Sequence, residues 1–215
     1  VDTSPDLRPG GEAGTKESVR MIVVLTVIAM VSGFWLAQVY HWTYDEIQRN
    51  KVQALAGSIL EVLPGAVDFR VIEAGPVGSL ADDPSSSQTR PGGDSEPLML
   101  YQGIDDSGAP VGFAFVSEGV GYGGIVKIMV GVDQASGLIS GLAVLEHSET
   151  PNLGSRIEEE SFRKQFVGKG TADTIALGQD IDKISGATVS SRAVVEAVNR
   201  DLAGALEAYK EATKQ

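Results

Sequence analysis

The sequence predicts an α+β protein: a single N-terminal transmembrane helix followed by a twisted, mostly antiparallel sheet packed with helices. Three observations predict it. Met21 to Tyr40 is an apolar run whose polar interruptions are Thr26, Ser32 and Gln38. Four later segments have strand character and are separated by turn residues. Finally, Ser190 to Lys210 places Val194, Val195, Val198, Leu202, Leu206 and Tyr209 on one helical face. The chain divides into a tail (1–20), an anchor (21–42), a helix, strand and flexible insertion (43–97), and a soluble domain (98–215).

The anchor comes first. At 1.5 Å per residue, about 20 apolar residues cross a ~30 Å hydrocarbon core. No charged residue stands between Arg20 and Asp45. Trp35, Tyr40, Trp42 and Tyr44 crowd the C-terminal end, as an interfacial aromatic belt does. A cleaved signal peptide ends in small residues, whereas bulky aromatics occupy that place here, so the span is expected to stay. Arg8, Lys16 and Arg20 precede it and Arg49 and Lys51 follow it, a weak bias toward a cytoplasmic N-terminus. The span holds no ionisable group that would carry ions by itself.

Asp45 to Leu63 reads as a helix with Ile47, Leu55, Ile59 and Val62 on one side, stopped by Pro64-Gly65. A short strand, Val67 to Glu73, comes next. Gly75 to Pro97 is rich in Ser, Pro, Gly and Asp and reads as a surface insertion. Strands are expected at Leu98 to Gln102, Val111 to Ser117, Ile125 to Val132 and Leu138 to Glu146. In the third, Val126, Ile128, Val130 and Val132 alternate with Lys127, Met129 and Gly131, which predicts one buried face. Asp133 to Gly137 is the turn of an antiparallel hairpin. Glu158 to Phe166 reads as a short helix with Phe162 and Phe166 four apart.

Composition removes several functions. With no cysteine, the 215-residue chain holds no disulfide, iron–sulfur cluster or thiolate zinc site. His41 and His147 are too few for a metal centre, so any redox cofactor is organic. A net charge of −12 excludes nucleic acid as a partner. No Gly-x-Gly-x-x-Gly follows a strand, which argues against direct nicotinamide binding.

The most informative residues are Asp182-Lys-Ile-Ser-Gly-Ala-Thr188, a small-residue turn just ahead of the last amphipathic helix. A helix start leaves backbone N–H groups unpaired and is a natural seat for phosphate. Gly186 and Ala187 admit a close ligand, and Thr188 offers a hydroxyl. The plain alternative is a helix start with Thr188 or Ser190 as its cap.

This turn resembles the flavinylation motif of the FMN-binding domain family. Two further blocks support the resemblance: Glu146-His-Ser-Glu-Thr-Pro-Asn-Leu-Gly154 and Gly121-Tyr-Gly-Gly124. With the anchor and Leu63-Pro-Gly-Ala66, the chain resembles the G-subunit family of Rnf electron-transport complexes. It is less similar to the related C subunits of sodium-pumping NADH:quinone reductases. Asn152 departs from the pattern, standing where the family usually has Gly. Asn tolerates left-handed backbone, so the loop should survive.

The resemblance implies FMN joined covalently to Thr188 through a phosphoester, made by a flavin transferase. Ser185, Gly186 and Ala187 would form the phosphate turn, Lys183 would lie near the phosphate or the flavin ring, and Asp182 would either present Thr188 to the transferase or hold the turn. Thr150 and Leu153 would meet the ring's polar edge and one face. Glu149 either touches the cofactor or braces the loop; Gly154 completes it. No residue is expected to be catalytic or to bind metal. The implied protein is an electron relay in a ferredoxin–NAD oxidoreductase complex coupled to ion transport, with other redox subunits and membrane lipid as partners. It would sit in the cytoplasmic membrane with the flavin domain outside. The alternatives are a stand-alone anchored flavoprotein serving an extracytoplasmic reductase, and a flavin-free assembly module.

Overall fold

The computed structural model describes residues 11–73, 99–170 and 174–214. The chain forms two units, Val1–Val52 and Gln53–Gln215. The expected surface insertion, Gly75 to Pro97, lies outside the described residues.

In the first unit the span is helical, within α1 (Gly11–Val62). Ser18–Tyr44, 27 residues with a mean hydropathy of 2.2, is long and apolar enough to cross a membrane. Its hydroxyls do not break it. Thr26 Oγ1 donates to the Ile22 carbonyl and Thr43 Oγ1 to that of Val39, both at 2.8 Å, so neither is left bare in an apolar setting. The Tyr40 and Tyr44 rings meet at 5.9 Å near the end of the span. The sequence suggests a second helix starting at Asp45. The structure has no break there, because neither Gly nor Pro interrupts 34–56.

The second unit is built on a five-stranded antiparallel meander. Its strands are β1 (Asp68–Glu73), β2 (Met99–Ile104), β3 (Pro110–Val120), β4 (Ile125–Asp133) and β5 (Ile139–Glu146), in that spatial order. Asp105 and Asp133 shape two of the turns. The Ser107 hydroxyl and Ala109 amide hold the Asp105 carboxyl below its ordinary pKa, and Ser136 does the same for Asp133.

One face of the sheet packs against α3 (Thr188–Ala212) and the short helix α2 (Glu160–Arg163). The predicted apolar stripe of α3 is confirmed: Val194, Val195, Val198, Leu202 and Tyr209 are buried and Leu206 partly so. Phe113 and Tyr209 stack with centroids 4.3 Å apart. Phe162 and Phe166 are buried as expected, with ring centroids at 5.5 Å, but they do not share one helix. Glu159 is extended (φ −59°, ψ 134°) and ends the first 3-10 turn (Gly154–Glu158), and α2 then tightens at Lys164 into a second 3-10 turn that carries Phe166.

The opposite face is also covered, which overturns the single buried face expected from β4. Met129 is fully buried, in a second cluster with Ile59, Val62, Leu63, Tyr101, Ala114 and Ala143. The cover is the end of α1. A Cβ on Gly141 would lie 2.7 Å from Val62 Cα, and one on Gly131 would run into the Val62 carbonyl oxygen. Ser140 Oγ donates to that same oxygen at 2.6 Å and satisfies a helix-end carbonyl. Ile47, grouped by periodicity with Ile59 and Val62, is instead 41% exposed. Gly141→Ala should therefore destabilise the domain by about 2 kcal/mol through overpacking against backbone, measured as a shift in the denaturation midpoint.

Polar groups fix the register of α3 on β3. Ser117 Oγ, buried, donates to Asp201 Oδ2 at 2.5 Å, and Arg200 donates to the Glu118 carbonyl at 2.7 Å. A Cβ on Gly119 would strike the Ala193 carbonyl, so helix and strand touch backbone to backbone. That close contact brings the start of α3 beside the turn that leaves β3.

Candidate functional site

Three loops converge at the start of α3. The first is the β3–β4 turn, 121–124, closed by a Gly121 N–H to Gly124 carbonyl bond of 2.8 Å. The second, 147–154, follows β5. The third is 182–188, which ends in the first residue of α3.

Glu149 joins them. It is 6% exposed, and its two oxygens hold different loops. Oε1 accepts from the Tyr122 amide at 2.7 Å and the Gly123 amide at 3.2 Å. Oε2 accepts from Ser190 Oγ at 2.9 Å. Glycine is required on both sides of this carboxylate. A Cβ on Gly121 would collide with Oε1, and one on Gly154 would collide with Oε2 and come within 2.9 Å of Ser190 Oγ. One on Gly123 would collide with the Ser148 carbonyl.

His147 steadies Glu149 from behind. Its Nδ1 accepts the Glu149 amide at 3.1 Å, which leaves Nε2–H to donate to Glu158 Oε1 at 3.0 Å. One ring nitrogen is thus committed to the loop and the other to Glu158 in the 3-10 turn that follows it. At the bend, Asn152 has φ 60°, the left-handed geometry expected from its place in the motif, and its amide donates to Ser155 Oγ at 2.9 Å. The Thr150 carbonyl accepts from the Leu153 and Ser155 amides, each at 3.2 Å.

The helix start itself is bare. Ala187 occupies the cap position with no side-chain cap bond, and the first turn holds no acid. Neither Thr188 nor Ser190 caps α3, so the plain alternative to a ligand site is not what the structure has. Ser190 turns inward to Glu149, and Ser191 Oγ donates to the Ala187 carbonyl at 2.9 Å. The Thr188 hydroxyl makes no hydrogen bond to any described residue. First-turn amides and an unneutralised helix dipole favour an anion at this position.

Gly186 has φ 80°, and a Cβ there would lie 2.8 Å from Leu153 Cδ1. Leu153 is 45% exposed, so it covers the turn while keeping a free apolar face. Asp182, Lys183, Ser185 and Thr150 are exposed, and Ala187 and Gly154 are buried. The Asp182 amide is held by Gln165 Oε1 at 2.6 Å, a tether with no signal in the sequence. The structure therefore brings Leu153, Glu149 and Gly154 to the start of α3 and leaves the side chains of Asp182 and Lys183 facing solvent. Among the described residues no His or carboxylate cluster forms a metal site.

An apolar N-terminal helix followed by a sheet-and-helix domain with a bare, Thr-bearing helix start defines the class: an anchored FMN-binding domain protein. The FMN-binding domain family matches residues 121–203, which contain all three loops. The G subunit of the ion-translocating oxidoreductase complex of Methanosarcina acetivorans is 35% identical over 188 residues, covering 86% of this chain and 93% of that one. The G subunit of the Na(+)-translocating ferredoxin:NAD(+) oxidoreductase complex of Acetobacterium woodii is 29% identical, covering 84% and 87%. The crystal structure of Shewanella oneidensis NqrC superimposes with a TM-score of 0.61 over 78% of this chain and all of that one. At 18% identity that likeness establishes the fold. The chain belongs to the G-subunit family of ion-translocating oxidoreductase complexes.

Proposed function

We propose that this protein is the electron-relay subunit of a membrane-bound ferredoxin–NAD oxidoreductase complex coupled to ion transport, and that it carries FMN as a phosphoester of Thr188. The chain is an FMN-binding redox subunit that works among other subunits, anchored by its N-terminal helix. The observation that carries the attachment site is the free Thr188 hydroxyl on an uncapped helix start with no acid in its first turn.

The residues present fit the group. A phosphate esterified at Thr188 would lie against first-turn amides and the helix dipole. Gly186 leaves room for it, and Ser185 and Lys183 stand on its exposed side. Leu153 and Thr150 lie on the neighbouring loop, where they would meet the ring. Glu149 acts from beneath as a positioning residue, holding the two loops against Ser190. Bound FMN supplies one-electron and two-electron transfer, and the protein sets its position and potential.

Attachment makes this chain a substrate of a flavin transferase. The Thr188 hydroxyl displaces AMP from the diphosphate of FAD, its proton leaves, and one phosphoester replaces the broken phosphoanhydride. The exposed side chains of Asp182, Lys183 and Ser185 are the face open to that enzyme, with Ile184 buried between them. The excess of basic residues before the span supports a cytoplasmic N-terminus with the flavin domain on the other side. There a covalent bond prevents loss of a cofactor that cannot be replenished.

The test is production with and without the transferase. Denaturing gels should show a fluorescent band at this chain's mass only in the first case. A dark band in both would refute covalent attachment.

A further inference from the structure

The segment 181–188 is docked on the domain through every third residue. Ile181, Ile184 and Ala187 are buried, whereas the side chains of Asp182, Lys183 and Ser185 stand outward between them. At the downstream end the backbone is held by its own turn and by α3. The Ala187 amide donates to the Ile184 carbonyl at 3.0 Å, and the Ile184 amide to Ser191 Oγ at 3.3 Å. The upstream end is held from elsewhere. The Asp182 amide donates at 2.6 Å to Oε1 of Gln165, which lies 17 residues earlier in the second 3-10 turn.

Gln165 is oriented for that bond. Its Nε2 donates to the Ser161 carbonyl at 3.1 Å, which turns Oε1 toward the motif. Phe166, next in the chain, is buried and meets Phe162 edge-on, so the turn that carries Gln165 is itself anchored. Among the described residues Gln165 makes no hydrogen bond to Thr188, so it acts on the motif through the Asp182 backbone alone. The start of α3 has separate support, from Ser190 on Glu149.

We propose that Gln165 is a positioning residue for flavin attachment: by fixing the Asp182 amide, it holds the upstream half of the motif in the shape the transferase reads. This rests on the reading of Thr188 as the attachment residue. In the transfer the Thr188 hydroxyl gives up its proton and takes the FMN phosphoryl group from FAD, and AMP leaves. The transferase has to meet the outward side chains of Asp182 and Lys183 while Thr188 stands at the diphosphate. A backbone already ordered spares that encounter the entropy of ordering it, which for one residue is equivalent to about tenfold in affinity. The chemical step, made at the separately supported start of α3, does not depend on the tether.

The test uses the full chain, made without the transferase and purified in detergent, as the substrate of purified transferase at saturating FAD. Gln165→Met removes the acceptor at nearly constant volume, whereas Gln165→Glu keeps an oxygen for the Asp182 amide. KM for the chain should rise about tenfold in Gln165→Met with kcat unchanged, and stay close to the wild-type value in Gln165→Glu. A tether that served the fold alone would lower the denaturation midpoint and leave KM equal in all three proteins, and that result would overturn the proposal. An equal rise in KM for the Met and Glu variants would also overturn it. Hydrogen exchange on the wild type, which depends on no variant folding, should find the Asp182 amide protected; fast exchange there counts against the proposal too. A wild type that takes up no flavin, or carries it on another residue, would instead overturn the attachment reading beneath it.

Discussion

Thr188→Ala should yield folded protein with no covalent flavin at all. The hydroxyl has no hydrogen-bond partner among the described residues, so its removal costs no native interaction of the polypeptide. Ala is also the better helix former, so stability should change by no more than about 0.5 kcal/mol, in the favourable direction. The outcome is therefore a complete loss of in-gel fluorescence beside a melting transition of the flavin-free domain that is not lowered. Capping would give the reverse pattern: replacing a true cap costs about 1 kcal/mol and leaves flavin chemistry untouched. The two patterns separate on the same pair of measurements.

Glu149→Ala should be the most damaging single change at the site. It removes the acceptor for the Tyr122 and Gly123 amides and for the buried Ser190 hydroxyl. Hydrogen bonds to a charged acceptor contribute more than neutral ones, and a buried donor left unpaired carries its own cost. We expect a loss of about 3 kcal/mol in chemical denaturation, with poor flavin loading because the start of α3 loses its support. Glu149→Gln should cost about 1 kcal/mol, since Gln keeps one oxygen for the two amides and can donate to Ser190 Oγ. If Gln proved as harmful as Ala, the bracing role would be wrong and the negative charge itself would be what matters.

Much of this arrangement is legible from residue order, for identifiable reasons. Periodicity locates α3 and every strand of the meander, because apolar alternation and helical spacing are local properties. The left-handed Asn152 is legible too, since the loop pattern has Gly at that position. What escapes is the result of distant segments meeting. The second buried face of β4 depends on the end of α1 lying over Gly131 and Gly141, and glycine in a strand does not announce which backbone approaches it. Glu149 could brace or bind when read in its own loop. Its bracing contacts come from Ser190, 41 residues away, and from amides 26 and 27 residues before it. Ser190 itself reads as a possible cap because nothing local reveals that its hydroxyl turns inward.

Peptide mapping of the protein from its native membrane tests the central claim most directly. Tandem mass spectrometry should find the peptide containing residues 184–192 heavier by one esterified FMN, with fragment ions placing the added mass on Thr188. The same peptide at its unmodified mass throughout, or the flavin on any other residue, would contradict the account.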